Sequence, residues 1–109
     1  MWENLTFTEL LKSSGLRPGK ELFFYRDQNG VEVDFVASRR DRVALIECKN
    51  SERLDERKLH FGQVAPLFSP DTSVDCLVSC RVSDPTPAAL RSMTLWNPLL
   101  HRFPLDLSR

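Results

Sequence analysis

The stretch Val43-Ala44-Leu45-Ile46-Glu47-Cys48-Lys49 constrains the fold more than any other part of this 109-residue chain. Read as a strand, it has Val43, Leu45, Glu47 and Lys49 on one face and Ala44, Ile46 and Cys48 on the other. Both faces are largely apolar. Such a strand belongs in the middle of a sheet that is covered on both sides.

The flanking segments supply that sheet and its covers. Residues 2–14 read as a helix, because Phe7, Leu10 and Leu11 fall at helical spacing, Trp2 extends the apolar set, and Gly15 provides a stop. After a turn at Arg17-Pro18-Gly19-Lys20, the aromatic run Leu22–Arg26 reads as a first strand. Asp27-Gln28-Asn29-Gly30 is hairpin chemistry, since Asn-Gly readily adopts the positive φ of a tight turn. Val31–Ala37 is the second strand, Ser38–Arg42 a polar turn, and Val43–Lys49 the third strand. Asn50-Ser51 caps an expected helix over Glu52–Phe68, with Leu54, Phe61, Val64, Ala65 and Phe68 as its apolar stripe and Pro66 kinking or shortening its end. A break at residues 69–73 leads to a fourth strand, Val74–Cys80, parallel to the third because a helical crossover precedes it. A short helix from Asp84 to about Arg91 and a last strand, Met93–Trp96, follow; residues 97–107 carry no assignable pattern. The expectation is one α/β domain over residues 1–109, a mixed sheet between helices in an α/β/α arrangement.

Composition narrows the function classes. Fifteen basic residues balance fifteen acidic ones, which excludes a protein that coats nucleic acid by bulk positive charge but leaves room for a local basic groove. No apolar run reaches the ~18–20 residues of a membrane helix, and Met1-Trp2-Glu3-Asn4 does not read as a signal peptide. Cys48, Cys76 and Cys80 are an odd set without a CxxC pair, and His60 and His101 lack ligand spacing. A cytoplasmic protein with reduced thiols and no structural metal is expected.

The unusual charges are those inside strands. Asp34 and Glu47 are each flanked by apolar residues, where a charge is costly unless it is paired or bound to a cation. A hairpin closed by Arg39–Arg42 would set Ser38 opposite Val43, Val36 opposite Leu45, Asp34 opposite Glu47 and Glu32 opposite Lys49, all on one face. Two facing carboxylates with Cβ atoms ~4.5–5.5 Å apart repel, so either one is protonated or something positive sits between them, Lys49 or a divalent metal. Glu3 shares the sheet-facing side of the first helix with Phe7 and Leu10, whereas Glu9 is rotated by about 120°. Glu3 is therefore a candidate third acid, its alternative role being simple electrostatic support of the helix N-terminus. Asp34, Glu47 and the Cys48 backbone carbonyl are hard oxygen donors suited to Mg²⁺ or Mn²⁺. Lys49 could position or deprotonate an attacking water and stabilise developing charge. These parts match metal-assisted phosphodiester hydrolysis.

Asp34, twelve intervening residues, then Glu47-Cys48-Lys49 resembles the PD-(D/E)xK signature of restriction-endonuclease-like nucleases. More narrowly, Trp2-Glu3-Asn4, Glu9-Leu10-Leu11, Phe24-Tyr25-Arg26-Asp27, Gly30, Glu32-Val33-Asp34-Phe35 and Ile46-Glu47-Cys48-Lys49-Asn50-Ser51 are similar to the C-terminal domain of unknown function of prokaryotic AAA+ ATPases. The resemblance covers most of residues 2–80. It implies a three-layer α/β/α restriction-endonuclease-like fold, a Mg²⁺-dependent nuclease-like domain acting on DNA, Asp34, Glu47 and Lys49 as catalytic residues, and Glu3, Asp34, Glu47 and the Cys48 carbonyl as metal ligands. Val33 stands where the signature has proline, and Gln63 is followed at the Gln-x-x-x-Tyr spacing by Leu67 rather than tyrosine. No Walker motif is present, so an ATPase domain would lie in a longer chain or a separate partner. Arg39, Arg40, Arg42, Arg53, Arg57 and Lys58 are candidate nucleic-acid contacts, or simply a solvated hairpin tip and helix face. Two other readings stand beside the nuclease: a catalytically inactive nucleic-acid-binding or regulatory domain of the same fold, and a buried ion network of Asp34, Glu47 and Lys49 without metal. A homodimer is compatible with any of them.

Overall fold

A computed structural model describes residues 2–14, 16–49, 59–81, 93–100 and 102–105. Helix α1 spans Trp2–Ser14, and strands β1, β2 and β3 span Leu22–Arg26, Glu32–Arg39 and Arg42–Cys48. A short helix α2, Phe61–Val64, runs into a 3₁₀ turn, Ala65–Leu67, before β4, Ser73–Ser79, and β5, Met93–Trp96. The five strands form one mixed sheet in the order β1-β2-β3-β4-β5. β1, β2 and β3 are an antiparallel meander, while β3, β4 and β5 run parallel.

The expected central strand is central, and both of its faces are covered. Ala44 and Ile46 pack in a cluster with Leu10 of α1, Leu22, Leu77 and Trp96. Val43 and Leu45 pack in a second cluster with Phe61 and Val64 of α2, Val36 and Val78. The helix expected over Glu52–Phe68 is not continuous: Leu59 and His60 are not helical, and helical structure in the described part is confined to Phe61–Val64 and the 3₁₀ turn. Pro66 sits in the first positions of that turn, and Phe68 beyond it is extended. Residues 51–58, with Arg53, Leu54, Arg57 and Lys58, lie outside the described residues, as does the helix expected near 84–91. Phe103, in the segment without a pattern, buries its ring edge-to-face on Trp96, centroids 5.4 Å apart.

Both hairpins have clear local causes. Between β1 and β2, Gly30 has φ 80°, and the Asp27 carboxylate accepts the N–H groups of Asn29 and Val31 at 2.8 and 3.1 Å. Between β2 and β3 the turn is tighter than expected: Arg39 already pairs with Arg42, leaving Arg40 and Asp41 at the tip, Arg40 with φ 59°.

One irregularity shapes the rest. β1 pairs Phe23 with Val36 and Tyr25 with Val33, so Phe24 alone is opposed by Asp34 and Phe35. That is a β-bulge in β2. It resets the alternation: Val33 and Val36 share the α2-side cluster, while Phe35 packs with the α1-side cluster and stacks on Phe7 with ring centroids 5.7 Å apart.

Candidate functional site

The β2–β3 register follows the expectation as far as Phe35↔Ile46, including Ser38↔Val43 and Val36↔Leu45, and ends there. Asp34 and Glu47 are therefore not ladder partners, contrary to the register expected from the sequence. The bulge turns Asp34 out of the alternation, and its Oδ2 accepts the backbone N–H of Cys48 at 2.7 Å. A side chain thus ties the end of β3 to β2.

The sequence-derived acids divide between the two faces. Glu3, in the first turn of α1, lines a cleft together with Asp34. Partial burial, then the charge of Asp34 and a hydrogen bond to it, push the Glu3 carboxyl above its ordinary range. Glu47 follows Val43 and Leu45 on the α2 side and is only 2 % exposed. Its Oε2 accepts the backbone N–H of His60 at 2.8 Å, and its Oε1 lies 3.2 Å from His60 Nδ1. The same Nδ1 lies 2.9 Å from the Glu32 carbonyl. With two acceptors against it, Nδ1 carries the proton and donates. Burial raises the Glu47 pKa, opposed by the His60 N–H, the His60 charge and Lys49. Lys49 therefore remains a neighbour of Glu47, as its place two residues on requires.

His60 is the residue that sequence reasoning missed. Its only usable signal was the need of Glu47 for donors once buried. A second missed element is the network that seats α1. The indole N–H of Trp2 donates to the Ser79 carbonyl at 3.0 Å, and the Lys49 backbone N–H donates to the same oxygen at 2.8 Å. The Thr6 hydroxyl donates to the Trp2 carbonyl, so in the 2.7 Å contact between the two hydroxyls Ser79 is the donor. Burial pushes the Cys48 thiol up to about 12 and the Cys76 thiol up to about 11, which disfavours their thiolate forms, and none of the three cysteines is in a disulfide.

The basic candidates lie away from the acids. Arg39–Arg42 form the tip of the hairpin, whereas Asp34 and Glu47 are at its other end, about 15–20 Å away along extended strand. Arg39 is held by Glu21 at 2.8 Å, and Arg42 lies 3.8 Å from Asp75. Arg40 is exposed.

Residues 1–68 match the family described as a domain of unknown function, DUF4143. The chain belongs to that family. DUF4143 domains are found in AAA-ATPase-associated proteins. The matched span holds Glu3, Asp34, Glu47, Cys48, Lys49 and His60, and stops before β4. No curated protein and no solved structure matches the chain. Among the described residues, no helix is long and apolar enough to cross a membrane.

A divalent cation can be tested against these donors. Among the described residues no group of three or more His, Cys, Asp or Glu side chains is placed to hold a metal ion. Mg²⁺, however, is commonly held by one or two carboxylates, with waters and substrate phosphate completing its shell. Glu3 and Asp34 suit that role: they are hard oxygen donors in mutual contact, and Asp34 keeps acceptor capacity beyond its bond to Cys48. Glu47 lies on the other face, with each of its oxygens accepting a bond from His60.

Proposed function

We propose that this DUF4143 domain is a Mg²⁺-dependent phosphodiester hydrolase, nuclease-like and acting on DNA, with a three-layer restriction-endonuclease-like fold and a place as the C-terminal module of an AAA+ ATPase. The observation that carries the reading is that the Glu3 and Asp34 carboxyls line one open cleft, where the charge of Asp34 helps to push the Glu3 carboxyl up and a cation would relieve it. The bound metal would polarise phosphate and water. Asp34 fixes the Cys48 amide at the end of β3, whereas Lys49, beside Glu47, is not among the residues lining the cleft.

A second reading, a catalytically inactive nucleic-acid-binding or regulatory domain of the same fold, is favoured by one specific observation. Glu47 is buried and fully engaged by His60, the state of a structural carboxylate. Titration with Mg²⁺ or Mn²⁺, followed by thermal unfolding, separates the two. The hydrolase reading expects a rise in Tm that Asp34→Asn removes, and cleavage of single-stranded, duplex or branched DNA that the same substitution abolishes. A well-folded protein with no metal-dependent rise and no cleavage of any of the three substrates assigns the domain to regulation instead.

A further inference from the structure

The cleft that holds Glu3 and Asp34 extends well beyond them. It is a concavity of about 480 Å³ between the start of α1 and strands β1 and β2, walled by Phe7, Phe23, Phe24 and Phe35. Phe7 and Phe35 are stacked and half-buried, so they form a fixed wall. Phe24 is 73 % exposed and Phe23 42 %, although both belong to a strand. Their exposure has no counterpart in the core, and the bulge opposite Phe24 is what opens the space beside it.

We propose that this cleft seats one unpaired nucleotide, its phosphate on a divalent cation at Glu3 and Asp34 and its base against Phe24, so that the substrate is single-stranded rather than duplex. The inference rests on the phosphodiester-hydrolase reading and names its substrate class. Three features carry it. A volume of this size, mainly apolar with a few charged groups in its lining, has the form of a small-ligand site rather than of a flat protein interface. Aromatic faces hold bases of any sequence by stacking, and an unpaired base offers its face without first being pulled from a helix. Finally, among the described residues lining the cleft Arg26 is the one cation, and it is paired with Glu32 at 3.0 Å. The cleft therefore has no basic track for a duplex backbone, and phosphate attraction falls to the metal. Affinity should consequently need a divalent ion and depend only shallowly on monovalent salt.

The test is binding of a single-stranded oligonucleotide carrying 2-aminopurine, with Ca²⁺ replacing Mg²⁺ to prevent turnover. Anisotropy gives the affinity, and quenching of the 2-aminopurine reports stacking. The single strand should bind at least about tenfold more tightly than a blunt duplex of the same sequence, and Phe24→Ala should weaken it about tenfold and remove the quenching. Leu67→Ala, which removes a 62 % exposed side chain outside the cleft, should leave both unchanged. Equal affinity for duplex, or an unaltered affinity in Phe24→Ala, overturns the proposal. So does a wild type that is dimeric by light scattering and becomes monomeric in Phe24→Ala with unchanged oligonucleotide binding, since the cleft is then a protein interface. Quenching that survives while no DNA is cleaved with Mg²⁺ supports the nucleotide seat and removes the hydrolase reading alone.

Discussion

Asp34 and Glu47 sit on adjacent strands, each next to apolar residues, and yet the protein treats them oppositely. Glu47 is buried, with one residue, His60, supplying a backbone and a ring donor to its two oxygens. Asp34 is half-exposed, spends one bond on a backbone amide and faces another acid. A carboxylate saturated by protein donors is committed to structure. One that meets a second carboxyl is left with charge for something positive to neutralise. Chemistry is thus to be sought on the Asp34 side, and rigidity on the Glu47 side.

Breaking each acid in turn tests that contrast. The largest expected effect is Glu47→Ala, which strands the His60 donors in the interior and should cost about 2–4 kcal/mol in urea unfolding, equally with chelator or with Mg²⁺. A loss that appears only with metal would move Glu47 into the metal site. Asp34→Asn keeps an acceptor for the Cys48 N–H while removing the charge. It should cost less than ~1 kcal/mol in chelator and still abolish any Mg²⁺-dependent rise in Tm.

The pH dependence of Glu47 sharpens the comparison further. Its pKa is raised in the folded protein, so between the unfolded value and the folded one the native state binds more protons. The resulting stability is fully present below the unfolded glutamate value of about 4.3 and is lost as pH rises through the folded value. Relative to Glu47→Gln, wild type should therefore gain as pH falls across that window, by urea midpoints measured in parallel. A gap that instead shrinks as pH falls would mean that the His60 donors outweigh burial. The smallest effect belongs to the far end of the same hairpin. Arg40→Gly relieves a left-handed backbone at φ 59° and should stabilise by no more than about 0.5–1 kcal/mol, with no change in the metal response.

Much of this arrangement was legible in the chain. The covered central strand followed from Val43–Lys49 because alternation alone showed two apolar faces, and the β2–β3 register followed from turn length and that same alternation. The place of Glu3 near the sheet followed from its spacing to Phe7 and Leu10. The division of the acids was not legible. The bulge arises from how β1 and β2 pair, and nothing in Glu32-Val33-Asp34-Phe35 announces that one residue will drop out of step. The partner of Glu47 lies thirteen residues away in the sequence, and no spacing rule links the two. Arg39 and Arg42, read as candidate nucleic-acid contacts, are neutralised by Glu21 and Asp75 from other parts of the chain, which only the tertiary structure shows.

The Ser79 carbonyl receives the Trp2 indole on one side and the Lys49 amide on the other. A single oxygen on β4 thereby fixes the height of α1, and with it Glu3, relative to the last rung of β3. Because that oxygen falls eleven positions past the end of the family match at residue 68, the matched portion borrows its alignment from a strand outside itself. Any shortened version cut at that boundary would keep Glu3, Asp34 and Glu47 and lose the common reference by which helix and ribbon are levelled.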